Sequence, residues 1–316
     1  MVKIIVGLMG SSASSGSASM NGANQLRPFL NMLKQHGVRE LDTARVYNKG
    51  KSEEDLGGIA EAKTQFMIAT KAPGYGPDTL SYQNVIDNCN ASLKALKQDK
   101  IELYYFHGPD RKTPLEESCR AISQLHRDGK IDRFAISGFN VQEVEDIHAI
   151  CTRNSWIAPS VYQGIYNPLA RAAEQSLIPT VHKFNMAYYA WSPLAGGFFA
   201  KSAEQLRTPA AGGRFDQMKH FSSMFVNDVS LALHDDLTKA SEAEGLSVKE
   251  ATLRWLMHHS ALGKEDGVIL GGSSIEQMEQ NLRACEGGPL PESVVQSFAN
   301  MWTKWQEAGK ALPASS

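Results

Sequence analysis

What this chain has little of narrows its function before any motif is read. Over 316 residues the formal net charge is only −2, so there is no electrostatic footprint for nucleic acid or an anionic membrane surface. No apolar run approaches the roughly 18–20 residues needed to span a bilayer. The amino-terminal MVKIIVGLMGSS has a short apolar part and no basic flank, so it reads as a first strand rather than a signal peptide. These absences point to a cytoplasmic protein with neither membrane nor nucleic acid as partner. Cysteine is scarce, and Cys89, Cys119, Cys151 and Cys285 have no spacing that suggests a zinc site or redox pair. Reduced, mostly buried thiols are the expectation. Histidine falls into no HxxxH or HExxH pattern, and His258 and His259, adjacent on a helix, would face different ways. No metal is expected.

What is present is a series of short apolar runs, each closing on a reactive or polar side chain. RELD ends at Asp42, FMIATK at Lys71, IELYYFH at His107, FAIS at Ser137, PSVYQ at Gln163 and MAYYAW at Trp191. Buried strands that end this way describe a parallel β-barrel, whose catalytic groups stand at the carboxyl ends of the strands. Between the runs lie amphipathic stretches of helix length. The reading is strand 3–8, helix 24–36, a helix from about Ser52 capped by S-E-E-D, then helices 81–96, 114–127 and 141–152. A helix over 170–184 follows, then helices 227–243 and 247–259, strand 267–270, helix 274–284 and a last helix near 292–308. Eight βα units predict a closed (β/α)8 TIM barrel forming one domain over 1–316. Residues 196–226, rich in Gly, Pro, Ser and Phe, read as a long functional loop after strand 7.

Four of these residues make a proton-handling set. A tyrosine alone, with a pKa of about 10, donates poorly at neutral pH. A lysine ammonium beside Tyr47 can lower that value by about 1–3 pH units. Lys71 stays charged in a barrel mouth only with a partner, and Asp42 is the available carboxylate. His107 can donate a hydrogen bond to a carbonyl oxygen or share the Tyr47 proton. Nothing in the set resembles a covalent nucleophile, so the chemistry fits carbonyl reduction by a bound hydride donor. Each residue taken singly also has an ordinary use: Asp42 as a helix cap, Tyr47 as a loop aromatic, Lys71 as a solvated charge, His107 as a polar residue before a turn. Arg45 could meet an anionic substrate or pair with a neighbouring carboxylate.

The motifs LDTARVYNKGKSEEDLG, IATKAPG, LYYFHGPD, VYQGIYNPL, YYAWSPLAGG and VILGGSSIEQMEQNL resemble those of the aldo-keto reductases over nearly the whole chain. The strings VYQGIYN, SPLAGG, ATLRWLMHHS and EQNLRACEGGPL are most similar to the aflatoxin-aldehyde and succinic semialdehyde reductase branch. The resemblance implies NADPH/NADP+ as cofactor and a small-molecule carbonyl substrate, with Asp42, Tyr47, Lys71 and His107 matching the family's catalytic tetrad. It implies that Ser137 and Gln163 bind the nicotinamide carboxamide and that Trp191 stacks on the nicotinamide ring, although an indole there could also be core packing. It adds Ser192, Leu194 and Gly196 of SPLAGG, and Gly271, Ser273, Gln277, Gln280 and Asn281 around the phosphate-binding helix start. Arg214, in GGRF of the long loop, matches a basic position that reaches the cofactor phosphate, with a solvated arginine as the plain alternative. The branch is also compatible with a homodimer.

Three departures stand out. The usual Ser-Asn pair after strand 5 is Ser137-Gly138 here, so a carboxamide contact is missing or rebuilt. The chain ends at ALPASS, without a basic, aromatic extension, and the first loop, GSSASSGSASMNG, is serine-rich, which predicts a more open pocket rim. Two other functions share these motifs: a cofactor-binding regulatory subunit like the potassium-channel β subunits, and a ketoreductase of a biosynthetic cluster.

Overall fold

The computed structural model describes residues 2–9, 22–208 and 224–313. Eight strands close into one barrel in sequence order: β1 (Lys3–Gly7), β2 (Glu40–Asp42), β3 (Met67–Ala72), β4 (Ile101–Phe106), β5 (Ile131–Ser137), β6 (Pro159–Ile165), β7 (Ala187–Trp191) and β8 (Gly267–Leu270). All neighbours are parallel, and β8 closes on β1 through Lys3 opposite Gly267 and Val6 opposite Leu270. Among the described residues the helices include α1 (Ala23–Gln35), α2 (Lys51–Gly57), α3 (Ala60–Gln65), α4 (Tyr82–Leu96), α5 (Leu115–Arg127), α6 (Val141–Arg153), α7 (Leu177–Lys183), α8 (Ala203–Arg207), α9 (Asp228–Ala243), α10 (Val248–His258), α11 (Ile275–Cys285) and α12 (Glu292–Glu307).

Side chains alternate across each strand, and a barrel strand buries both sets. The inward set forms a small apolar plug of Ile5, Ala69, Leu103, Tyr105, Ala135, Val161, Tyr189 and Ile269. The outward set meets the helix ring in a much larger core. One step above the plug, the same inward alternation brings Asp42, Lys71, Ser137 and Gln163 to the mouth. The register agrees: Asp42 lies opposite Ala69, Lys71 opposite Tyr105, and Ser137 opposite Gln163.

Several boundaries differ from the sequence reading. α2 begins at Lys51 after Gly50, which has φ 89°, so Ser52 is inside the helix and buried rather than its cap. The segment expected as one helix over 170–184 is a 3-10 turn, Ala172–Glu174, followed by α7. Pro179 lies in the first turn of α7, where a missing N–H costs nothing, whereas a helix running in from 170 would collide with its ring. β6 continues through Gly164 and Ile165, which pair with Ala190 and Trp191, so Gln163 is two residues inside the strand end. The four cysteines are free and buried. Among the described residues no helix is long and apolar enough to cross a membrane, and no cluster of His, Cys, Asp and Glu could hold a metal ion.

Candidate active site

The mouth of the barrel is organised around a fully buried ion pair. Lys71 Nζ donates to Asp42 Oδ1 at 2.5 Å and to the Thr43 carbonyl at 2.7 Å. The second carboxylate oxygen, Asp42 Oδ2, accepts from Gln163 Nε2 at 2.9 Å. Neither charge reaches solvent, Lys71 being 0% and Asp42 3% exposed. Removing two ions from water costs several kcal/mol each, so they persist only with partners of this quality. The ordinary reading of Lys71 as a solvated charge does not survive.

Tyr47 stands above the pair. It opens a 3-10 turn, Tyr47–Gly50, whose first bond runs from Tyr47 N–H to the Ala44 carbonyl at 3.0 Å. Lys71 Nζ is 5.3 Å from the Tyr47 ring centroid and 5.3 Å from that of Tyr105. His107, one residue beyond β4, is fixed by its N–H to the Ala72 carbonyl at 3.1 Å. Its ring meets Tyr47 edge-on, with centroids 5.5 Å apart at 77°. Asp42, Tyr47, Lys71 and His107 thus converge in one place, from β2, its loop, β3 and the end of β4.

The electrostatics of this cluster differ from the sequence expectation in one respect. Burial pushes the Tyr47 phenol well above its usual value, and the Asp42 carboxylate and Tyr75 push the same way. The net shift is upward, against the lowering expected from Lys71. Burial also lowers Lys71, with Asp42 opposing. His107 is pulled down to about 3, by burial first and by Lys71 second. The imidazole is therefore neutral at physiological pH and donates through only one ring nitrogen.

A second group of residues lines the mouth on the far side. Ser137 ends β5, and half-buried Trp191 ends β7 against both cores. Ser192, Leu194 and Gly196 form one tight turn after β7. Ser192 Oγ accepts from Gly196 N–H at 3.0 Å, and the Leu194 carbonyl accepts from Gly197 N–H at 2.9 Å. Ser192 and Ala195 hold left-handed φ of 58° and 50°, a strain that tends to gather at functional loops. At the β8 exit, Asn281 Nδ2 donates to the Gly271 carbonyl at 3.2 Å. The Ser273 N–H and hydroxyl donate to Gln277 Oε1 at 3.1 and 2.7 Å. Ser274 caps α11 by accepting from Gln277 N–H at 3.2 Å. Gln280 is engaged by Lys249, whose Nζ donates to its Oε1 at 2.8 Å. A Cβ on Gly271 would meet nothing within 4 Å, so the floor in front of this helix start is open. Arg214 lies outside the described residues.

The sequence profile of the Aldo/keto reductase family matches residues 3–303. The chain belongs to that family. Aldo-keto reductase family 7 member A3 of Homo sapiens is 38% identical over 297 residues, covering 87% of each chain. Aflatoxin B1 aldehyde reductase member 2 of Homo sapiens is 37% identical over 306 residues, covering 89% of this chain and 81% of its own. An aldo-keto reductase of Pseudocercospora fijiensis is 34% identical over 285 residues, covering 87% of this chain and 96% of its own. This aldo/keto reductase is therefore an oxidoreductase by family, and its relatives support the aflatoxin-aldehyde branch.

Three contacts of this candidate site are not legible in the sequence. The Thr43 carbonyl is invisible to side-chain patterns. Lys249 reaches Gln280 from α10, far away in sequence. Tyr75, in the loop after β3, acts on Tyr47 through space, and no pattern in the sequence singles it out. Arg45 pairs with a carboxylate as one reading held, but that carboxylate is the fully buried Glu53, at 2.7 Å.

Proposed function

We propose that this protein is an NADPH-dependent reductase of aldehydes or reactive ketones, with Tyr47 as the general acid. The observation that carries this reading is the convergence of phenol, ammonium, carboxylate and imidazole at the carboxyl end of the barrel, with no nucleophile among them. The far-side residues fit a dinucleotide: hydroxyl and amide at Ser137 and Gln163, a half-buried indole at Trp191, and the start of α11 with open space over Gly271. When bound there, the coenzyme supplies a hydride to the carbonyl carbon.

Everything else falls to the chain. The Tyr47 O–H donates to the substrate oxygen and gives up its proton as negative charge develops there. Because burial keeps the phenol neutral, the donor is present across the working pH range. Neutral His107 offers a second N–H toward the same oxygen. Lys71 stabilises the phenolate left behind, and Asp42 keeps Lys71 charged and aimed. Such general-acid assistance is worth about 10²–10⁴ in rate. The human relative named for aflatoxin B1 aldehyde supports aldehydes as the first substrates to try.

The test is NADPH oxidation with short, aromatic and dicarbonyl aldehydes and semialdehydes, repeated with NADH. Turnover with NADPH is expected, and Tyr47→Phe is expected to lose it by at least about 10²-fold while still binding NADPH. A Tyr47→Phe variant that reduces aldehydes at the unaltered rate would end the assignment.

A further inference from the structure

One tyrosine lies across two glycines at the mouth. The Tyr75 backbone N–H donates to the Pro109 carbonyl at 3.1 Å, tying the loop after β3 to the loop after β4. The Tyr75 ring then covers Gly108, where a Cβ would fall 2.2 Å from a ring carbon. Its hydroxyl reaches Gly138 in the loop after β5, where a Cβ would fall 2.3 Å from Oη. Gly108 directly follows His107 and Gly138 directly follows Ser137, so the phenol lies between two residues of the site. This placement is costly. Tyr75 holds φ 64°, which a bulky aromatic rarely adopts, and it remains 62% exposed. An aromatic that is both strained and exposed repays little through burial, so its position points to function.

Resting on the reductase reading, we propose that the Tyr75 hydroxyl takes the place of the side chain absent at position 138, donating a hydrogen bond to the nicotinamide carboxamide. The donor count supports this. A primary carboxamide presents a carbonyl that accepts and an NH2 that donates. Gln163 spends Nε2 on Asp42, since a carboxylate can only accept, and this leaves Oε1 as an accepting end suited to the NH2. The carbonyl then requires hydroxyl or N–H donors, and Ser137 and Tyr75 carry the hydroxyls on that side. A phenol has an ordinary pKa of about 10, so at neutral pH Tyr75 keeps its donor proton. Gly138 has φ 75°, which disfavours most side chains and asparagine least, and the Tyr75 hydroxyl fills the space such a side chain would need.

Binding of NADPH, and of 2′,5′-ADP, which lacks the nicotinamide, is measured by quenching of intrinsic fluorescence. Tyr75→Phe is expected to weaken NADPH by about 3–10-fold and to leave 2′,5′-ADP unchanged. Gly138→Asn alone weakens NADPH because its side chain must displace the phenol. The double variant Y75A/G138N binds NADPH more tightly than either Tyr75→Ala or Gly138→Asn. Unchanged NADPH affinity in Tyr75→Phe, or a double variant no tighter than the single ones, overturns the proposal and leaves the reductase reading standing. If the unaltered protein binds neither ligand, the reductase reading falls and this proposal falls with it.

Discussion

At the scale of single residues, the site depends on a lysine and an aspartate that have no solvent to fall back on. Lys71 has three donors; two are spent at 2.5 and 2.7 Å on Asp42 and Thr43. Asp42 in turn serves Lys71 with one oxygen and Gln163 with the other. Removing one partner leaves an uncompensated charge inside the barrel, which costs about 3–5 kcal/mol, whereas removing both takes away the ions and the penalty together. Lys71→Met and Asp42→Asn are each expected to lower the denaturant midpoint, and the double variant to be less unstable than the sum of the two. Urea unfolding of the three proteins measures this directly. Strict additivity would mean that the two side chains do not act as a pair, contrary to their geometry.

At the scale of elements, the loop from β2 into α2 carries Tyr47, and its shape depends on a second buried contact. Glu53, in the first turn of α2, accepts from Arg45 Nη1 at 2.7 Å and from Thr70 Oγ1 at 2.7 Å. Thr70 immediately precedes Lys71, so one carboxylate joins the Tyr47 loop to the strand carrying its ammonium. Gly50 completes the turn: a Cβ there would fall 2.6 Å from Arg45 Nη1, and its φ of 89° disfavours any side chain. Gly50→Ala should therefore shift Arg45 and tilt Tyr47 without touching the dinucleotide side of the mouth. The expected result is a fall in kcat of about 10–100-fold, with NADPH affinity held within about twofold. Steady-state kinetics together with a binding titration separate the two effects, and a parallel loss of affinity would contradict this division of labour.

How far this site was legible follows the same distinction. Asp42, Lys71 and Ser137 could be read from strand alternation because each lies where its own apolar run closes, and local periodicity fixes that. Gln163 could be placed on its strand, but its commitment to Asp42 depends on a partner 121 residues away. Ser52 looked like a cap because Ser-Glu-Glu-Asp is a local signal, yet Gly50 and Arg45 move the helix start through packing that the string does not display. Tyr75 is the extreme case. Its proposed role depends on what two other loops leave out, and missing side chains at 108 and 138 carry no mark in a periodicity.

At the scale of the whole molecule, the mouth of the barrel carries much of the local conformational cost. The plug below is apolar. The buried ion pair, the left-handed Asn48, Lys49, Tyr75, Asp78, Ser192 and Ala195, and the exposed apolar side chains Met9, Val46 and Tyr75 belong to the mouth or its loops, while the left-handed Lys97, Ser155 and Asn185 lie in turns at the other end. Such concentration of local cost is expected where selection acts on chemistry rather than stability. It also makes the acid response of the entire fold depend partly on this end. His107 titrates at about 3 in the folded chain, against an ordinary value of 6.5 when unfolded. Between those values the unfolded chain binds a proton that the native one refuses, so stability rises with pH across that window. The contribution is therefore present above about pH 6.5 and is lost progressively as the pH falls toward 3. His107→Gln removes the titrating group while other carboxylates and histidines respond as before. The drop in urea midpoint between pH 7.5 and pH 4.5 should accordingly be smaller in His107→Gln than in the unaltered protein. An equal drop in both would mean that the imidazole is protonated as readily folded as unfolded, and that the mouth is wetter around His107 than its packing against Tyr47 allows.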